Sequence, residues 1–169
     1  MARNSKSKMN EIILMVKDMI KTNQDLMKLL KYTDVNIDIY NQADLTTREL
    51  RETCDKFIKE SPMEFDDNKS ACFIILMYGD KIYHHNNNIF FNGNTLEIFI
   101  FCHNDIKVND FIGDRTLEIE SLIEEMFDNV KLDSIRCKTY LSNSRIINSN
   151  HNYSGRNVQI MFSDWNNDM

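Results

Sequence analysis

The chain has 169 residues, of which 42% are hydrophobic and 27% charged, and it carries a formal net charge of −6. This length fits a single domain, which buries roughly 70% of the surface of its unfolded chain. The negative charge argues against a general nucleic-acid-binding protein, because that class presents a basic face. An acidic protein can still border DNA if its task is to let DNA slide past.

The sequence also argues against a zinc knuckle, a CxxC redox motif and a membrane span. The cysteines are too far apart for either motif, so we expect buried, reduced thiols in a reducing cytoplasm. They are Cys54, Cys72, Cys102 and Cys137. No apolar run approaches the ~20 residues that span a bilayer. The polar start of the chain leads into an amphipathic helix, so we expect no signal peptide.

The pattern of residues 10–62 predicts a helical layer. Asn10 to Met19 carries its apolar residues on one stripe at helical period. Asn23 can cap a second, shorter helix, although one continuous helix also fits the pattern. Thr46 to Glu49 reads as a capping box that starts a further helix, and Pro62 stops it.

The segment Ala71 to His103 then predicts a meander of strands. Ala71 to Tyr78 is a continuous apolar run of strand length. Gly79-Asp80 can form a two-residue hairpin turn into Lys81 to His85, and Asn92 to Asn94 reads as the next turn. Thr95 to His103 is apolar on both faces, which predicts a central strand covered on both sides.

A helix and two strands follow. Asp114 can cap the helix, whose apolar stripe consists of Ile119, Leu122, Ile123, Met126 and Phe127. Ser134 to Leu141 and Arg156 to Phe162 alternate as strands, and the Ser- and Asn-rich stretch Ser142 to Gly155 predicts a long loop between them. The predicted fold is therefore α+β, with a mostly antiparallel sheet of about four to five strands, a packed helix and the N-terminal helical layer. It forms one domain over residues 10–169, with the sheet and its helix in residues 71–165.

Motifs of common enzymes are absent from the sequence, which has no Gly-rich phosphate loop and no nucleophile elbow. His84-His85 lies in an Asn-rich stretch that we interpret as a solvated loop rather than a metal site. His103-Asn104-Asp105 suggests a metal or acid/base cluster, but at the end of a strand these side chains more simply bond the backbone and turn the chain.

One nuclease pattern requires a check because it combines an acidic residue on one strand with Glu-x-Lys on the next. Asp66 or Asp67 precedes the first strand, and Glu97 lies on the central one. Phe99 occupies the lysine position, so the cation that would stabilise the leaving charge is missing. On the last helix, Glu120 and the neighbouring glutamates read as a solvated face or as contacts to a neighbouring subunit.

Features of assembly proteins are easier to find. Residues 1–9 read as a mobile basic arm that could reach a partner, the stretch Ser142 to Gly155 is longer than a compact monomer requires, and the sheet leaves strand edges to cover. For each of the first two, simple disorder is the alternative.

The predicted order of helices and strands, together with three local sequence patterns, resembles that of a known protein family. The patterns are Leu96 to Asp105 (L-E-I-F-I-F-C-H-N-D), Arg115 to Phe127, and Asn152 to Trp165 (N-Y-S-G-R-N-V-Q-I-M-F-S-D-W). Over about Phe73 to Trp165 the chain looks like the tail-completion proteins of tailed bacteriophages, which are the tail terminators and head–tail joining proteins of the virion neck.

The resemblance implies a protein without enzymatic activity or cofactor that closes into a ring, usually a hexamer. A terminator ring would cap the tail tube and join it to the head–tail connector, while DNA passes through the lumen without specific binding. The protein would be found in the tail or neck of the virion after assembly in the host cytoplasm, with no membrane contact. The alternatives are a head-completion or neck adaptor ring, which is often twelvefold, and, in another class, a small metal-dependent nuclease.

For contacts to the tube or the connector, we predict residues of the basic arm and of the long loop. They are Arg3, Lys6, Lys8, Arg145, Asn150, His151 and Arg156.

Overall fold

The computed structural model describes residues 3–79, 82–86, 89–132, 137–149 and 151–164, with side chains for 10–79, 95–132, 137–149 and 151–162. Its class is α+β, as predicted. The helices are α1 (Arg3–Thr22), α2 (Gln24–Lys31), α3 (Thr47–Phe57), α4 (Asn104–Lys107) and α5 (Arg115–Phe127). The strands are β1 (Ile58–Lys59), β2 (Cys72–Tyr78), β3 (Ile82–Asn86), β4 (Ile89–His103), β5 (Val108–Asn109), β6 (Gly113–Asp114), β7 (Lys131–Leu132), β8 (Cys137–Asn148) and β9 (Tyr153–Asp164).

The helix starts follow the capping residues in the sequence. The Asn23 side chain accepts from the Leu26 N–H, which separates α2 from α1. In the capping box before α3, the Thr46 N–H donates to the Glu49 carboxylate at 2.9 Å and the Glu49 N–H donates to the Thr46 hydroxyl. Lys31 and Thr46 hold the pKa of Glu49 at about 2.

Residues 3–9 of the predicted basic arm have a helical backbone. Helix α1 begins at Arg3, so the backbone of residues 3–9 continues the amphipathic helix. The physical reason is that the polar residues of this segment are compatible with a helix whose later turns are held by packing. Ile12, Val16 and Ile20 of α1 are almost fully buried.

In the described part of the chain, the main sheet has seven strands and is larger than the four to five predicted. Its order is β1-β2-β4-β9-β8-β7, with β3 pairing to β4 beyond the end of β2. The β1–β2 pair is parallel and the other pairs are antiparallel. Strand β4 is central, as predicted.

One face of this sheet packs against the helices and forms the core. From β4 it contributes four residues that are fully buried, namely Leu96, Ile98, Ile100 and Cys102. Ile123 and Phe127 of α5 are equally inaccessible. All four cysteines are buried, as predicted.

The opposite face is covered only in part, which corrects the expectation that β4 is enclosed on both sides. Phe99 and Phe101 are half-buried there. The segment between β1 and β2 crosses one end of this face, where Phe65 packs edge-on against Phe101 with ring centroids 4.7 Å apart. An apolar cleft of about 210 Å³ remains beside it, lined by Pro62, Met63, Phe65, Ile75, Met77, Phe99 and Phe101.

The meander predicted for Ala71 to His103 has a different pairing. Strand β3 pairs with β4 rather than with β2. Gly79 therefore does not turn the chain back onto β2 but extends the pairing of β2 with β4, and its N–H donates to the Thr95 carbonyl at 3.0 Å. The predicted turn Asn92 to Asn94 lies inside β4. Pairing with a long neighbouring strand overrides the local turn preference of Asn and Gly.

The long loop predicted for Ser142 to Gly155 is also wrong, because β8 and β9 form a hairpin that pairs from Asn148 with Ser154 down to Cys137 with Asp164. A register shift between Leu141 and Asn143 leaves Ser142 as the extra residue of a β-bulge. The small polar residues of this stretch lie on a surface strand. Their backbone groups form the ladder with β9, and this pairing does not require an alternating apolar face.

Candidate assembly surface

The predicted interface residues have very different surroundings. Arg145 lies on β8 opposite Asn157 and is exposed. Its side chain forms no hydrogen bond or ion pair with the residues that the structure describes. The side chains of Arg3, Lys6 and Lys8, and the whole of Asn150, lie outside the described residues.

Arg156 is part of the fold, although the sequence predicted it as an interface residue. It forms an ion pair with Glu120 of α5, whose side chain is only 6% exposed. Ser144 donates to the same carboxylate and accepts from the Arg156 guanidinium at 3.3 Å. Glu120 therefore does not belong to a solvated face, because this group joins α5 to both strands of the hairpin.

His151 lies in the turn of the hairpin and contacts the segment that precedes β2. Its Nδ1 is 3.1 Å from an oxygen of Asp67, and the Asn152 N–H donates to the other Asp67 oxygen at 2.9 Å. The hydrogen bond from Asn152, followed by that from His151, lowers the pKa of Asp67. The hairpin turn is thus held to the body of the protein rather than projecting from it.

Tyr153 completes this attachment. It is 1% exposed, stacks on Phe65 with centroids 4.7 Å apart, and donates its hydroxyl hydrogen to the Lys69 carbonyl. Burial raises the pKa of Tyr153 to about 12, with Asp66 contributing. No local pattern predicts this contact, because Tyr153 and Lys69 are 84 positions apart.

The His103-Asn104-Asp105 motif has a structural role. His103 is 3% exposed and caps α4, with its Nδ1 accepting from the Asp105 N–H at 3.3 Å. His84-His85 lies in β3 rather than in a loop, and the side chains there are outside the described residues. Within the described residues, no group of three or more His, Cys, Asp or Glu side chains could hold a metal ion.

The carboxylates of the nuclease pattern are not brought together. Asp67 lies next to His103, whose Nε2 is 3.3 Å from the Asp67 carbonyl oxygen. Glu97 precedes His103 by six positions on the same strand, which corresponds to about 20 Å, and its carboxylate accepts from Asn157. The separation leaves no shared metal position between these two carboxylates.

The outer part of β8 has the properties of an assembly surface. Arg145 and Ile146 are both exposed, and Ile146 is the most exposed large hydrophobic residue among those described, at 69%. In the described ranges, strand β7 pairs with Cys137 and Lys138 of β8, which lie before the bulge. Arg145 is predicted from the sequence as a contact residue, but Ile146 is not, because its exposed position depends on the strand pairing.

The model of the YomW family matches residues 23–162 of this chain. The chain belongs to the YomW family. YomW is associated with Bacillus phages of the SPbeta type. The match contains the whole sheet except the last two residues of β9, and it leaves α1 outside.

For this YomW chain, no curated protein gives a match. No helix in the described ranges is long and apolar enough to cross a membrane.

Proposed function

We propose that this YomW protein is a structural protein of a tailed-phage virion and acts as the tail terminator. It forms a ring, a hexamer in the simplest form, that caps the tail tube and joins it to the head–tail connector. The ring stops addition of tube subunits and leaves an acidic lumen for DNA. The surface that contacts the tube or the connector includes the outer part of β8.

The observation that carries this proposal is the combination of a phage-associated family with the exposed side chains of Arg145 and Ile146 on β8. Arginine is enriched at protein interfaces, and Ile146 offers an exposed aliphatic side chain on the opposite face of the same strand. The net charge of −6 supports a channel that DNA passes without binding. The proposal of a tail terminator in particular comes from the three segments that resemble tail-completion proteins.

The test uses purified protein and tail-tube subunits of the same phage. We expect negative-stain images to show rings at tube ends and tubes that stop growing when the protein is added. Tubes that lengthen normally, without rings at their ends, would refute the terminator role.

A charge reversal at Arg145 tests whether the outer part of β8 contacts the tail tube. We expect Arg145→Glu to reduce the fraction of capped tube ends at least tenfold, because a carboxylate then replaces the exposed guanidinium. Arg51→Glu, at another exposed arginine on α3, is the matched control and should cap normally. Equal capping by both variants would remove Arg145 from the contact surface.

A further inference from the structure

The hydrogen bonds of the β8–β9 hairpin divide the residues of β8 into two sets. The Ser149 N–H donates to the Tyr153 carbonyl at 3.2 Å, so this pair is hydrogen-bonded. Because such pairs alternate in an antiparallel ladder, Asn143, Arg145 and Ile147 also direct their N–H and C=O groups to β9. Ser144, Ile146 and Asn148 direct theirs away from the sheet.

The described residues cover this outer edge of β8 up to the bulge at Ser142. Before the bulge, the Thr139 N–H donates to the Val130 carbonyl at 2.8 Å and the Leu141 N–H donates to the Asp128 carboxylate at 3.1 Å. Beyond it, no described residue pairs with the outward groups of Ser144, Ile146 and Asn148. Six backbone groups, three donors and three acceptors, are thus left in one row.

Natural edge strands usually carry a device that prevents pairing with another chain, such as proline, a charged side chain, a β-bulge or a covering loop. The bulge at Ser142 lies before the segment Ser144–Asn148. Between Ser144 and Asn148 the chain has no proline, and its one charged residue, Arg145, lies on the face opposite to Ile146. Ile146 is exposed on the face that carries α5. An uncovered edge with an exposed isoleucine at its centre is a template for strand addition.

We propose that two copies of the protein pair through this edge, with Ser144–Asn148 of one copy antiparallel to the same segment of the other. The pair is centred on Ile146. Each Ile146 then exchanges two hydrogen bonds with Ile146 of the second copy, and Ser144 pairs with Asn148 of the second copy in both directions. All six outward groups of each chain obtain partners, which is the self-complementarity that a two-fold interface requires.

Charge and shape select this register among the neighbouring ones. Centring the pair on Ile146 places Arg145 opposite Ile147 of the second copy, whereas centring it on Arg145 would set two guanidinium groups directly opposite each other, which is destabilising. It also places the two Ile146 side chains in contact on one face. The pair ends at the bulge, where Asp128 already covers Leu141.

This contact does not rest on the proposed function. A two-fold pair uses the same patch on both copies and cannot by itself close a ring of six, which needs contacts between unlike patches. The pair is therefore proposed for the free protein.

The first experiment compares the masses of wild type and Ile146→Pro by light scattering. Proline at Ile146 removes an outward N–H but no bond to β9, a position where edge strands tolerate proline. We expect twice the chain mass of 20.0 kDa for wild type and for Ile146→Val, and the mass of one chain for Ile146→Pro. Equal masses for wild type and Ile146→Pro, at any size, would overturn the proposal.

A crosslink tests the register even if the proline variant fails to fold. In the proposed pair, two cysteines at position 146 face each other at a separation of about 5.5 Å between Cα atoms, within disulfide range. We expect Ile146→Cys to form a covalent dimer on mild oxidation, and Arg145→Cys to form at least tenfold less. The native cysteines are buried and do not compete. No dimer, or equal dimer from both variants, would contradict the pairing.

Failure of this proposal is distinguishable from failure of the proposed function. Light scattering and crosslinking use the protein alone, and capping is measured on tube ends. A monomeric wild type that caps tubes overturns only the edge pairing.

Discussion

The two strands of the β8–β9 hairpin differ in what their side chains and backbones contact. Strand β9 pairs on both sides, and its Val158 and Ile160 are fully buried. Among the described residues, strand β8 beyond its bulge pairs on one side only, and it exposes Ile146. Within one hairpin, β9 therefore stabilises the fold, and the outer half of β8 is the part that we propose for assembly.

The largest expected contrast is between tyrosines on the two strands. Tyr153→Ala on β9 removes a buried ring and a hydroxyl hydrogen bond, and we expect a loss of about 4 kcal/mol in the free energy of unfolding. Tyr140→Ala on β8 removes a half-buried ring and should cost about 1 kcal/mol or less. Urea denaturation measures both. Equal losses would show that β8 and β9 contribute alike to the fold.

A smaller contrast is expected between the two arginines. Arg156→Ala leaves the buried Glu120 carboxylate without its cation, and we expect a loss of about 3 kcal/mol. Arg145→Ala removes an exposed side chain and should change the free energy of unfolding by less than about 0.5 kcal/mol. Thermal or urea unfolding gives the comparison. A large loss from Arg145→Ala would place this residue in the fold rather than on the assembly surface.

The smallest effect is expected at Asp67, and it depends on pH. Because the pKa of Asp67 is lowered in the folded protein, its carboxylate stabilises the fold above the ordinary pKa of about 3.9. That contribution is lost as the pH falls through the lowered value. We expect Asp67→Asn to unfold more easily than wild type at neutral pH, and the difference in melting temperature to shrink in strong acid.

Asp110→Asn is the control for this prediction, since Asp110 is also exposed and its carboxylate forms no ion pair with the described residues. Its melting temperature should follow that of wild type at every pH. A difference for Asp67→Asn that stays constant in acid would mean that its carboxylate contributes no charge-dependent stability.

Features governed by neighbours in sequence could be predicted well. The apolar residues on both faces of Thr95 to His103 predicted the central strand, and the structure confirms Asp114 as the start of a helix. It also decides for Asn23 as the cap of a separate helix, which the sequence left open. In each case the decisive contact is a hydrogen bond to a residue two or three positions away, or burial with a fixed period. Such contacts depend little on the rest of the fold.

Features governed by distant residues could not be predicted. Ser- and Asn-rich composition favoured a loop for Ser142 to Gly155, but pairing between two surface strands decides that segment. Arg156 and Glu120 are 36 positions apart in sequence. The sequence alone therefore does not distinguish a buried ion pair from two separate solvated charges. The open edge at Ile146 follows from the strand order, which no local pattern contains.

Residue-resolved amide exchange of β8 at two protein concentrations tests the division between the strands most directly. Ser144, Ile146 and Asn148 should exchange quickly in dilute protein and slow at least tenfold when the protein is concentrated. Arg145 and Ile147, which bond to β9, should exchange slowly at both concentrations. Exchange at Ser144, Ile146 and Asn148 that is independent of concentration would contradict the account, because the outer edge of β8 would then have no partner in a second copy.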